Sequence, residues 1–260
     1  MTVYVQLDGG IGNQLFQYAA AILLQSVLKK QVFLNVSKTI PHSGRNYTRC
    51  LYSRIATAKS IPEMRTHVLY AYMEWDPDVF QCPYDILLLG CYQYLPTIEP
   101  VLPFVYADLH AYLAPYKDFI RKKYSIYDPY SVGFLHVRRG DYLTAGGGRI
   151  HWVQDGAYYT EGVKRCSNLS RWFVLSNDVE WCKAEPAFRA IGAEVVDEPD
   201  ELYSLALMSL CHGGAVIANS TFSWWGAMLG AHPAGSTVVY PSKWTGEDNV
   251  QLFPSGWIRI

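Results

Sequence analysis

Short apolar runs alternate with segments of helical period along most of this chain, and that alternation constrains its fold more than any other feature. Strands separated by helices of about ten residues form parallel sheets, because each parallel return needs a crossover. The first forty residues read as one such unit. A β-branched strand at 2–7 leads to a helix at 13–30, where Leu15, Phe16, Ala19, Leu23 and Val27 recur at helical spacing, and a second strand follows at 31–36. Residues 85–92 (DILLLGCY) form a near-continuous apolar run, as a strand buried on both faces requires. A helical pattern at 110–124 ends in Arg121, Lys122 and Lys123, while 39–63 shows little periodicity and reads as a long loop.

The turn-forming cluster Tyr127-Asp128-Pro129-Tyr130 marks a boundary, after which the alternation restarts. Strands are predicted at 132–137, 171–175, 193–196, 215–218 and 237–240, with helices at 155–166, 179–189, 201–210 and 222–229. The fold class is α/β with parallel sheets, in two Rossmann-like halves, 1–128 and 129–260.

Composition excludes several alternatives. A chain of 260 residues buries roughly 75% of its extended surface, so it needs neither disulfides nor metals to form a core. Its net charge of −1 leaves no electrostatic footprint for nucleic acid or an anionic membrane, so phosphate chemistry must come from a few placed cations. The six cysteines lack CxxC or zinc spacing and read as free thiols of a reducing compartment. Neither a leader peptide nor a run of about 18 apolar residues is present, so a cytoplasmic protein without a membrane span is expected.

Four segments at predicted strand ends carry polar chemistry, where open α/β sheets bind ligands. Gly10, Gly12, Asn13 and Gln14 follow the first strand, and glycines let backbone amides approach an anion. The segment reads equally as a tight strand-to-helix turn. For a dinucleotide fingerprint it lacks the third glycine, since Leu15 stands there. The second segment, His136-Val137-Arg138-Arg139-Gly140-Asp141-Tyr142, delivers two guanidiniums and a carboxylate. Strand alternation puts His136 and Arg138 on one face and Arg139 on the other, so Arg138 is the candidate for a diphosphate and Arg139 a brace. A structural pair between Arg139 and Asp141 is the plain alternative. Ser176, Asn177 and Asp178 end the third strand and suit a base or ribose, or else a helix cap through Asp178. Asn219, Ser220, Thr221 and Phe222 open the fourth, another strand running into a helix start. No metal site is expected: Asp76-Pro77-Asp78 reads as a turn, and the histidines form no i, i+4 pair.

Together these segments resemble glycosyltransferase family 11, the α-1,2-fucosyltransferase family. The matching stretches are GGIGNQLFQYA at 9–19, LLLGCYQ at 87–93, HVRRGDY at 136–142, LYSLALMSLC at 202–211, ANSTFSWWGAML at 218–229 and PSKW at 241–244. The resemblance implies a GT-B-like fold, two Rossmann-like domains facing across a cleft, with the donor held mainly by the second. It implies an inverting enzyme that moves L-fucose from GDP-β-L-fucose to a glycan hydroxyl, O2 of a terminal galactose, without metal or other cofactor. Arg138 then falls on the diphosphate with His136 beside it. Asn219, Ser220, Thr221 and Phe222 wrap phosphates and fucose, and Ser176, Asn177 and Asp178 approach ribose and guanine. Gly10, Gly12, Asn13 and Gln14 match a first-domain loop closing on the cleft. Asp141 is the candidate general base, as the carboxylate nearest Arg138 in sequence. One departure is Gly214, where family members often carry a histidine; His212 stands two residues earlier.

Overall fold

The computed structural model describes residues 1–36, 47–58, 60–62, 66–70, 83–144, 152–166, 169–244 and 250–260. The chain divides into two compact units, Met1–Tyr112 and Leu113–Ile260. In the first, β1 (Thr2–Gln6), α1 (Ile11–Ser26) and β2 (Gln31–Asn35) form the expected crossover, followed by β3 (Ala56–Ala58), β4 (Thr66–Tyr70) and β5 (Asp85–Leu89). The sheet order is β3-β2-β1-β5-β4, parallel throughout. Strands β3 and β4 escape a hydrophobic reading for a physical reason. Both lie at sheet edges, and β3 is three residues long with two of them exposed. Asp76-Pro77-Asp78 lies outside the described residues, as does part of the predicted loop at 39–63.

After the short α2 (Leu95–Ile98), α3 (Leu102–Lys123) begins eight residues before the apolar pattern at 110 suggests. Proline in a first helical turn gives up an amide that would be unpaired anyway, so Pro103 is tolerated there. The division between units falls within this helix. Asp108 accepts from Tyr18 at 2.8 Å and pairs with Arg54 at 2.6 Å in the first unit. Beyond Tyr112, Tyr116 and Phe119 meet Tyr203, and Lys123 pairs with Glu198, all in the second unit.

The second unit comprises β6 (Val132–Val137), α4 (Asp141–Thr144), α5 (Gly156–Arg165), β7 (Arg171–Ser176), α6 (Val179–Ala184), α7 (Pro186–Ile191), β8 (Glu194–Val195), α8 (Glu201–Leu210), β9 (Gly214–Val216), α9 (Thr221–Leu229), β10 (Val238–Tyr240) and β11 (Ile258–Arg259). The one helix predicted at 179–189 is two, because Pro186 forces Glu185 out of helical backbone (φ −67°, ψ 118°) and then opens α7. The parallel sheet runs β11-β10-β9-β6-β7-β8. Its order reverses at β6: the chain first adds β7 and β8 on one side, then returns to add β9 on the other. Ligands of open α/β sheets bind at such a reversal, beyond the carboxyl ends of the strands.

Alternation along the strands separates two faces. Leu135, Val137, Trp172, Val174, Val216 and Val239 share one buried cluster with Tyr159 of α5, Cys182 of α6 and Phe188 of α7. Helix α5 approaches β9 through Gly162, where a Cβ would lie 2.5 Å from Val216 Cγ1 and 3.0 Å from Cγ2. Alanine gains about 1 kcal/mol of helix propensity over glycine, but overpacking against a stiff β-branched neighbour costs about 1–3 kcal/mol. Gly162→Ala is therefore expected to lose about 1 kcal/mol in urea unfolding. The double variant with Val216→Ala should lose less than the sum of the two single changes.

Candidate active site

The reversal at β6 places two loops side by side, the one after β6 (138–144) and the one after β9 (217–220). Helix α5 seats both. Tyr159 Oη donates to the His136 carbonyl at 2.9 Å, and Tyr158 Oη donates to the Ile217 carbonyl at 2.6 Å. Burial pushes both phenols well above their ordinary range, so both remain hydrogen-bond donors.

The two arginines diverge as strand alternation requires. Arg139 turns toward α6, where Nε pairs with Asp178 Oδ2 at 3.1 Å and the guanidinium stacks on Trp181, 4.1 Å from the ring centre. The Asn177 amide accepts from Arg139 N at 2.9 Å and donates to Arg139 O at 3.4 Å. That clamp leaves no room beside Gly140, which has φ +54° and whose Cβ would lie 2.5 Å from Asn177 Nδ2. Only glycine meets both conditions. Asp178 is engaged by both oxygens: Oδ2 on Arg139, and Oδ1 capping α6 through Trp181 N at 3.2 Å. Ser176 Oγ accepts from Asp178 N at 2.9 Å. Ser176, Asn177 and Asp178 thus join the site's scaffold, and the cap reading of Asp178 is realised.

Arg138 lies on the other side. Its Nη2 meets Asp141 Oδ1 at 2.8 Å and Oδ2 at 2.9 Å, and its guanidinium covers the Tyr142 ring at 5.1 Å. Asp141 therefore pairs with Arg138, and the alternative pair with Arg139 does not form. Next to Arg138 the His136 imidazole is buried against the Phe222 ring at 5.7 Å. Burial, and then the Arg138 charge, lower its pKa to about 3, so it is neutral near pH 7. Its Nδ1 makes no hydrogen bond among the described residues, nor does the buried Asn219 Oδ1. Asn219 Nδ2 donates to the Trp244 carbonyl at 3.1 Å.

Ser220 opens α9 without a side-chain cap, and Thr221 and Phe222 form its first turn, both half-buried. A guanidinium, a neutral imidazole and the start of a helix therefore converge at the reversal. Chemically this combination suits a multiply charged anion, because the helix dipole and amides favour negative charge and the guanidinium fits phosphate oxygens in pairs. Tyr142, which sequence reasoning passed over, touches both loops: its ring meets Arg138, and its hydroxyl donates to the Asn219 carbonyl at 3.1 Å. Its place directly after Asp141 in an otherwise polar motif was the available signal.

His212 and Gly214 lie elsewhere. Gly214 opens β9, and His212 stacks edge-on against Tyr130 at 5.2 Å. Both are toward the amino end of the sheet: Gly214 pairs with Gly133, about 17 Å along the strand direction from Arg138, and His212 lies about 23 Å away. In the first unit, Gly10 opens α1 and a Cβ there would meet nothing within 4 Å. Gly12 and Gln14 are buried and Asn13 is half-buried. Gln14 Nε2 donates to the Gly9 carbonyl at 2.8 Å and so holds the turn, where Gly9 has φ +75°. Among the described residues no group of three or more His, Cys, Asp or Glu could hold a metal ion, and no helix is long and apolar enough to cross a membrane.

Residues 127–260 match the family described as glycosyl transferase family 11. The O-antigen biosynthesis glycosyltransferase WbnK of Escherichia coli is 28% identical over an alignment spanning 99% of this chain and 100% of that protein. An Escherichia coli alpha-1,2-colitosyltransferase is 34% identical over 48% of this chain and 46% of its own. The fucosyltransferase NodZ from Bradyrhizobium aligns in structure over 88% of this chain and 93% of its own, with a TM-score of 0.49 and 10% identity.

The buried imidazole has a thermodynamic signature. Above about pH 6.5 His136 is neutral both folded and unfolded, so it adds no pH dependence. Below that, the unfolded chain takes up a proton that the folded chain refuses until about pH 3, so stability falls as pH falls through this window. The loss is about 2–3 kcal/mol between pH 7 and pH 4.5. His212 and His232 are also lowered by burial and add to the wild-type slope. The difference between wild type and His136→Asn in urea unfolding across this range isolates the share of His136, and the variant should show the shallower dependence.

Proposed function

This chain belongs to glycosyl transferase family 11, and on that premise we propose that it moves L-fucose from GDP-β-L-fucose to a glycan hydroxyl with inversion, giving an α-1,2 linkage to a terminal galactose. The observation that carries the proposal is the convergence of Arg138, His136 and the start of α9 at the sheet reversal. Three considerations support this reading. A nucleoside diphosphate leaving group gains charge on its β-phosphate as the bond to the sugar breaks. Arg138 and the α9 amides lie where that charge is best stabilised, in the transition state more than in the ground state. The neutral His136 can hydrogen-bond a phosphate oxygen without repelling Arg138.

In this mechanism the acceptor hydroxyl oxygen attacks the sugar's anomeric carbon from the face opposite the nucleotide. The bond from that carbon to the β-phosphate oxygen breaks, and its electron pair stays with GDP. The hydroxyl proton goes to Asp141, the carboxylate that already touches Arg138. Ser176, Asn177 and Asp178 act here chiefly by holding the loop after β6, and Asn219, Ser220, Thr221 and Phe222 present the opposing wall. No metal is needed, since Arg138 and backbone amides supply the positive charge. A second reading keeps the reaction and changes the sugar to another GDP-linked deoxyhexose. It is favoured by the likeness of 48% of this chain to the alpha-1,2-colitosyltransferase.

Thermal unfolding with GDP, UDP or NAD, each with and without EDTA, tests the donor class. At 100 times its Kd a ligand adds about 2.7 kcal/mol of native-state stability. Stabilisation by GDP alone, unaffected by EDTA, is expected; stabilisation by UDP or NAD without GDP overturns the proposal. Arg138→Ala should lower turnover by about 10²–10³, as loss of one oxyanion donor does, and near wild-type turnover would remove Arg138 from the mechanism. Asp141→Asn should retain GDP binding and lose transfer. Comparing GDP-fucose with a second GDP-deoxyhexose separates the two readings.

A further inference from the structure

Arg138 is a long side chain at the mouth of a loop, yet it is held on two sides. Asp141 binds Nη2 at the edge of the guanidinium, and the Tyr142 ring lies against it at 5.1 Å. The Tyr142 hydroxyl donates to the Asn219 carbonyl at 3.1 Å, so this one side chain spans the reversal from the loop after β6 to the loop after β9. We infer that Tyr142 is a positioning residue, a strut that sets the Arg138 guanidinium at a fixed distance from the start of α9 so that both meet one diphosphate. The inference rests on the reading of Arg138 as the phosphate-binding cation.

Both parts of the side chain bear on Arg138: the guanidinium lies over the ring, and the phenol oxygen also accepts a hydrogen bond from it. The ring gives Arg138 a flat surface with a negative face, which aliphatic packing lacks, while the Arg138 side chain stays 32% exposed. The hydroxyl fixes where that ring stands by anchoring it to the residue just before Ser220, the N-cap of α9. Desolvation raises the phenol's pKa, so it stays protonated and donating. A placement error of about 1 Å at a catalytic group can cost about 10²-fold in rate, and a strut of this kind prevents such an error.

The test uses Tyr142→Phe, Tyr142→Leu and Arg138→Ala, alone and combined, with GDP-fucose turnover, GDP affinity and thermal midpoints measured for each. Tyr142→Phe loses the hydroxyl's bond to the Asn219 carbonyl and its bond to the charged Arg138, so it should lower kcat by about 10-fold or more. Tyr142→Leu, which loses ring and hydroxyl, should lower kcat by up to about 10²-fold and weaken GDP binding, with little change in the acceptor KM. The deciding readout is the double variant: with Arg138 absent, Tyr142→Leu should weaken GDP binding no further. If Tyr142→Leu costs as much without Arg138 as with it, or costs nothing in either background, Tyr142 is a packing residue and the inference falls while the role of Arg138 stands. If Arg138→Ala itself keeps turnover and GDP affinity, the parent reading falls and the inference with it. Tyr142→Phe, with its intact ring, keeps the test valid should the leucine variant fold poorly.

Discussion

The reversal of strand order at β6 is the constraint from which the rest of the second unit follows. A parallel sheet extended in one direction would send every crossover to the same side and leave its strand ends covered alike. Because the chain adds β7 and β8 first and then returns to place β9 on the other flank, the connections after β6 and β9 leave in opposite directions. Side chains tie the segments around this divergence together: two α5 tyrosines donate to the carbonyls of His136 and Ile217, and Asn219 donates to that of Trp244.

Electrostatics at the reversal follows from how its two cations are divided. Arg139 is neutralised by Asp178 and pressed on Trp181, and its backbone is clamped by the Asn177 amide, so it acts as a fixed brace. Arg138 keeps an exposed edge and has an exposed carboxylate as partner, an interaction that in water is worth about 1 kcal/mol or less. A phosphate with two charges and several oxygens competes easily with so weak a pair. One arginine thus gives the loop its shape while its neighbour keeps a charge that can be redirected.

Much of this was legible in the sequence, and what was not has identifiable causes. The bounds of β6 and α8 follow the apolar pattern residue for residue, because both are buried and their periodicity is uninterrupted. Strands β3 and β11 were invisible because edge strands of three and two residues carry little hydrophobic signal, while β4, five residues long, is an edge strand that leaves its central Val68 exposed. Alternation along β6 correctly sent Arg138 and Arg139 to opposite sides. It could not say which carboxylate each would meet, since Asp178 is 39 positions from Arg139 and reaches it only because β7 lies beside β6. Tyr142 was hidden for the same reason: its partner is 77 positions away, across the sheet.

Burial of the second unit's cysteines has a use beyond packing. Cys182, on α6, is almost wholly covered, and desolvation pushes its thiol up to about 11, so neither access nor ionisation favours reaction in the folded state. It lies under the elements that brace Arg139, while Cys166, pushed up to about 12, sits where α5 ends beside β9. A thiol reagent can reach either sulfur only when the covering helix lifts, so the two modification rates time two separate local openings. With the wholly buried Cys211 at the end of α8, the second unit carries three internal chemical clocks, among them one for the arginine brace and one for the helix that seats both loops.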